Sequence, residues 1–188
     1  MKNKLGVALL ALAIAGAWSA TAREEAAPIS AGTFLVYDNA GMRMRLTFSS
    51  ADGDRFEANV EYAYDQREFE PASPSPAQGH MVDTHMRTAD GGIFELGSLG
   101  PLWVPPSELR EGGSAHGTRV DGVRRWENWD VGVVTASVGL GGALRGEWYY
   151  DARTGFLVGG TKSTAVSLPG DGQVFTLTDS NLPDLGLR

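Results

Sequence analysis

A strict period of two, with Met42, Met44, Leu46 and Phe48 interleaved by Arg43, Arg45 and Thr47, sets the first limit on what this chain can become. Successive side chains of a β-strand point to opposite faces, so the alternation describes a strand with one apolar face and one wet face. The pattern returns after Asp52-Gly53, where Phe56, Ala58, Val60, Tyr62 and Tyr64 alternate with Arg55, Glu57, Asn59 and Glu61. Asp52-Gly53, and upstream Asp38-Asn39-Ala40-Gly41, are residues that reverse a chain: aspartate and asparagine bond to nearby backbone, and glycine accepts positive φ. A meander of antiparallel strands is expected.

The same signals run to the end of the chain at intervals of roughly 8–12 residues, the spacing of a sandwich or barrel. Strands are expected over 80–88, 93–96, 115–120, 123–138, 144–150, 156–166 and 174–178, with turns at Ala89-Asp90-Gly91-Gly92 and Asp121-Gly122. Glu70 to Gly79 carries three prolines and reads as a loop inside one domain, since the stretch before it is too short to fold alone. Pro105 to Arg110, stopped by Gly112-Gly113, is the one helical turn expected. The fold class is therefore all-β: an antiparallel meander forming a curved half-barrel or sandwich, with very little helix.

Residues 1–22 differ in character. Lys2 and Lys4 precede an apolar run from Leu5 to Ala17, and Ala20-Thr21-Ala22 forms a small-x-small cleavage site, the pattern of an export signal. The run is shorter than the roughly 20 residues of a membrane span, so the mature chain is expected to be soluble and exported, in the periplasm or beyond, and not membrane-spanning. Cysteine is absent, which excludes both a lipid-bearing cysteine at the cleavage point and any disulfide. Burial must then supply the stability, as it can in a chain of roughly 150 residues, which buries about 68–70% of its unfolded surface. Residues 23–30 read as a flexible lead and residues 31–188 as a single β-rich domain.

Without Lys2 and Lys4 the basic residues fall from 16 to 14 against 23 acidic ones, so the formal charge moves from −7 to −9. Such a surface argues against nucleic acid or an anionic membrane as partner.

The sharpest local signature is Trp148-Tyr149-Tyr150-Asp151-Ala152-Arg153-Thr154-Gly155-Phe156-Leu157-Val158. An aspartate that opens a turn, with glycine in the left-handed position, specifies a hairpin whose flanks, Trp148, Tyr150, Phe156 and Val158, pack in the core or at its rim. This segment resembles exported β-proteins of the LolA/LolB-like lipoprotein-carrier type and uncharacterised families near them. The resemblance implies a strongly curved, unclosed barrel with an apolar concave face. Those carriers plug the half-barrel with helices, for which this chain has almost no sequence. Gly32-Thr33-Phe34 is in turn similar to the Gly-x-Trp opening of lipocalin-like barrels, with phenylalanine in place of tryptophan.

Chemistry-bearing patterns are sparse. His80 and His85 flank Asp83, but residues 80 and 85 of a strand point to opposite faces, and His116 would have to complete a set; no metal site and no cofactor are expected. Gly155 to Ser163 lacks the spacing of a phosphate-binding loop, because Thr161 separates glycine from Lys162. Trp126 and Trp129, read as part of one strand, fall on opposite faces and cannot form one platform unless a bulge intervenes. No Gly-x-Ser-x-Gly elbow or Ser-x-x-Lys is present, and Glu127 with Glu147 is a pair of carboxylates with no defined separation.

The expectation is a non-catalytic exported β-domain that binds an apolar or lipid-like ligand, or another envelope protein, on the face carrying Met42, Met44, Phe48, Phe56, Tyr62, Trp148 and Tyr150. Methionine suits such adaptable apolar surfaces. The alternatives are a structural or interaction protein with a filled core and, third, a hydrolase.

Overall fold

The alternating segments pair as their pattern demands. The strands are β1 (Phe34–Asn39), β2 (Met42–Asp52), β3 (Arg55–Tyr64), β4 (Glu70–Pro71) and β5 (His80–Val82), followed by β6 (Ser114–Ala115), β7 (Thr118–Trp126), β8 (Trp129–Val138), β9 (Leu144–Asp151), β10 (Leu157–Thr164) and β11 (Gln173–Ser180). The computed structural model describes residues 25–39, 41–64, 67–71, 80–95, 100–138, 144–164, 173–185 and 187. The expected signal peptide, most of the proline-rich loop (72–79) and the end of the strand expected over 156–166 lie outside the described residues.

Among the described residues the strands form one antiparallel sheet in the order β4-β3-β2-β1-β11-β10-β9-β8-β7-β6, with β5 also paired to β3. The chain is thus the expected all-β meander, built as a single open sheet in which β4 and β6 stand at opposite ends. The first and last strands, β1 and β11, are neighbours in mid-sheet. Helix is confined, among the described residues, to two single turns, Pro106–Glu108 and Pro183–Leu185. None is long and apolar enough to cross a membrane.

Local chemistry accounts for several departures from expectation. The stretch read as one strand over 123–138 is a hairpin: Glu127 takes a φ of +48° and Trp126 pairs directly with Trp129. Asp121-Gly122, expected as a turn, is instead a bulge inside β7, where the Asp121 carboxylate accepts a hydrogen bond from the Thr135 N–H of β8. The strand expected over 115–120 is split by His116-Gly117, both at positive φ. That expected over 80–88 stops at Val82, because the Asp83 carboxylate caps a turn by accepting from the backbone N–H of His85 and Arg87. Glu70-Pro71 belongs to a strand and not to the proline loop.

The described part of the lead, residues 25–30, is docked where looseness was expected. Ala27 and Ile29 are buried in the core, the Ala27 N–H donates to the Thr84 carbonyl, and the Glu25 carboxylate accepts from the Ser107 N–H. One face of the sheet, here the inner face, carries Leu35, Tyr37, Leu46, Phe48, Val60, Tyr150, Leu157, Phe175 and Leu177 in that same core. Much of it is covered by the largely irregular segments 83–95 and 100–113. Leu109 seats on Gly132, the Pro101 carbonyl accepts from the Tyr150 hydroxyl, and Leu102 and Val104 exchange backbone hydrogen bonds with Gly155 and Leu157.

Candidate functional site

The strand registers connect into one row of residues along the inner face. Tyr64 pairs with Met42, Met42 with Asn39, Asn39 with Phe175, Phe175 with Gly160, Gly160 with Trp148, and Trp148 with Val134. The row is open at one end and buried at the other: Tyr64 is 56% exposed, Met42 and Asn39 are half-buried, and Trp148 is 4% exposed. A second row lies beneath it, with Tyr62 opposite Met44 and Met44 opposite Tyr37.

All seven residues expected to face a ligand occupy this inner face. Met42, Met44 and Tyr62 are grouped at its open end. Phe48 and Phe56 lie toward the other end of the β2–β3 pair, Phe48 fully buried and Phe56 packed at the edge of the core. Trp148 and Tyr150 stand four strands from β2 and are fully packed. Four of the seven, Met44, Phe48, Trp148 and Tyr150, are therefore core residues, while Met42, Phe56 and Tyr62 remain half-buried.

Sequence reasoning missed Asn39, Phe175 and the glycines that let the rings lie flat. A Cβ on Gly160 would come 2.7 Å from Phe175 Cε1, and one on Gly146 would come 2.9 Å from Trp148 Cη2. Both positions must be bare for these rings to cover the strands. Glycine inside a strand marks such a close approach, and Gly159-Gly160 was the available signal.

The polar atoms of this face are almost all engaged. The Tyr37 hydroxyl donates to the Leu157 carbonyl (2.8 Å) and the Tyr150 hydroxyl to Pro101 (3.0 Å). Burial pushes both phenols above their ordinary pKa, so they stay neutral donors. The exception is the indole nitrogen of Trp148: among the described residues it is the one buried side-chain nitrogen or oxygen without a hydrogen-bond partner. It lies beside Gly100, at the start of the covering chain.

The opposite face holds a different cluster. Trp126 and Trp129 stack across their hairpin with centroids 5.6 Å apart and planes 19° apart, and Trp126 also meets Tyr149 at 4.8 Å. The expected separation of the two rings is overturned, because a two-residue turn, and not a continuous strand, joins them. Trp126 lies over Gly159, where any side chain would collide with its ring. Trp129 is buried, its Nε1–H donating to the Leu185 carbonyl. Glu147 Oε2 accepts from the Tyr149 hydroxyl and from Arg124 Nη2, each at 2.6 Å. The Tyr149 bond, aided by Arg124 and opposed by burial, holds the Glu147 carboxyl below the ordinary carboxylate range. Such a group is not poised to donate a proton, and Glu127 is exposed in the hairpin turn.

His80 lies against the Phe94 ring and His116 Nε2 pairs with the Trp103 carbonyl. Among the described residues no three His, Asp or Glu side chains are grouped to hold a metal ion. Gly155 to Ser163, compared above with a phosphate loop, runs into strand β10. The turn from Asp151 to Gly155 forms as its residues specify: Asp151 Oδ2 accepts from the Thr154 N–H (2.9 Å) and hydroxyl (2.6 Å), and Gly155 sits at φ +81°.

No protein-family model, curated protein or solved structure matches this chain.

Proposed function

We propose that this chain is an exported, non-catalytic β-domain whose inner sheet face binds an apolar, lipid-like ligand. One observation carries the reading: the row from Tyr64 and Met42 to Trp148 leads from half-exposed apolar side chains into the core on a single face. An amphipathic molecule needs such a gradient, since its tail gains from leaving water while its head stays wet. Met42, Tyr62 and Tyr64 form the entrance, Met44 and Phe175 the wall, and Trp148 the inner end. The likeness of the hairpin around Asp151 to lipoprotein carriers points the same way.

A second reading, a structural or interaction protein with a filled core, is favoured by the covering chain, whose Met86, Leu102 and Val104 are fully buried. Native mass spectrometry of protein purified from its own envelope, with lipid extraction in parallel, separates the two. A reproducible lipid adduct that is lost in Met42→Glu supports the binding reading. A bare mass in every preparation supports the filled core.

A further inference from the structure

Buried donors in folded proteins are almost always paired, because an unmade hydrogen bond in the interior costs about 1–3 kcal/mol. Trp103 and Trp129 obey this rule through the carbonyls of Thr154 and Leu185, and Tyr37 and Tyr150 through those of Leu157 and Pro101. Trp148 does not, although its ring is 4% exposed and its neighbours are fixed by strand register. A single donor among apolar groups is a poor seat for water, which when buried makes about three hydrogen bonds. It is a good seat for one acceptor oxygen carried on an apolar chain.

We infer that the indole N–H of Trp148 anchors a neutral acyl carbonyl oxygen, the ester of a lipid whose chain lies along the row toward Met42 and Tyr64. This rests on the ligand-binding reading and names its ligand class. Neutrality follows from the described surroundings: Trp148 packs within the hydrophobic core, where a carboxylate would lose its hydration. The upward push that burial gives the Tyr37 and Tyr150 phenols reports the same low polarity. Lys162 holds the register position opposite Gly146, so a carboxylate ligand belongs in the test as a competitor.

The test is a proton–nitrogen NMR titration of the full chain, uniformly labelled with nitrogen-15, using a monoacylglycerol, the fatty acid of the same chain length and the corresponding alkane. The Trp148 indole resonance is expected to move downfield and saturate with the ester alone. Trp103 and Trp129, already bonded, serve as internal controls and stay in place. Trp148→Phe should weaken ester binding roughly two- to tenfold more than alkane binding, the size of one net hydrogen bond. An ester that shifts Met42 and Tyr62 but not Trp148 overturns the anchor and leaves the binding reading standing. A fatty acid that moves Trp148 as strongly at neutral pH overturns the neutral class. If none of the three compounds shifts any inner-face residue, the binding reading falls and the anchor with it.

Discussion

Trp103 donates its indole N–H to the carbonyl oxygen of Thr154 at 2.9 Å, joining two loops 51 residues apart in the sequence. The bond closes the covering chain onto the turn that follows β9, and both partners are buried. Trp103→Phe leaves the Thr154 carbonyl without its donor and should lower stability by about 1–3 kcal/mol. Trp148→Phe breaks no hydrogen bond and should stay within about 1 kcal/mol of the parent, the loss of ring contact being offset by removal of an unpaired donor. Urea midpoints of the two variants compare them directly, and equal losses would contradict the assignment.

Asp151 holds its turn through a single oxygen that accepts two hydrogen bonds from Thr154. Asp151→Ala strands a buried N–H and hydroxyl together, so a loss of about 2–3 kcal/mol is expected. Thr154→Val removes only the hydroxyl and should cost roughly half as much. Thermal or urea unfolding gives the ratio.

Ile29 tests whether the lead belongs to the fold. Its side chain is 9% exposed within the core cluster, so Ile29→Ala should cost about 2 kcal/mol, near the low end for a buried isoleucine. A loose lead would give no change in the denaturation midpoint.

Glu147 predicts an acid limb. A carboxyl whose folded pKa is depressed adds stability that is present above its unfolded value, about 4.3, and is lost as the pH falls through the folded value. Because Tyr149 and then Arg124 lower Glu147, its contribution should be constant between pH 7 and about pH 5 and decline below about pH 4. Glu147→Gln should make that decline shallower. An unchanged acid slope in the variant would show that the pairing does not couple to folding.

Much of the β-sheet was legible because alternation is a local property. Met42 to Phe48 and Phe56 to Tyr64 declare their faces residue by residue, and the turn at Asp52-Gly53 lies next to the strands it joins. The Asp151 turn was legible for the same reason, since its donors lie within four residues of its acceptor. The hairpin at Glu127-Asn128 was not. Asn128 favours turns but no glycine follows it, and the positive φ that Glu127 takes, rare for that residue, is held by the pairing of Trp126 with Trp129 and by their stacking. The bulge at Asp121 was hidden likewise, because an Asp-Gly pair signals a turn until its carboxylate finds the Thr135 N–H across the ladder.

The sequence by itself determined the class of the protein: an all-β antiparallel chain, with an excess of acidic residues, no disulfide and apolar residues that share a face within each strand by parity. Parity is a relation between near neighbours, so it survives without knowledge of the fold. Only the tertiary structure decided that the seven expected ligand-facing residues share one face, which of them stay half-exposed, that β1 and β11 meet in mid-sheet, that segments 83–95 and 100–113 cover the inner face, and that Trp148 keeps an unpaired donor. Each of these depends on contacts between residues far apart in the chain, whose meeting is set by the summed burial of the whole core and not by any local pattern.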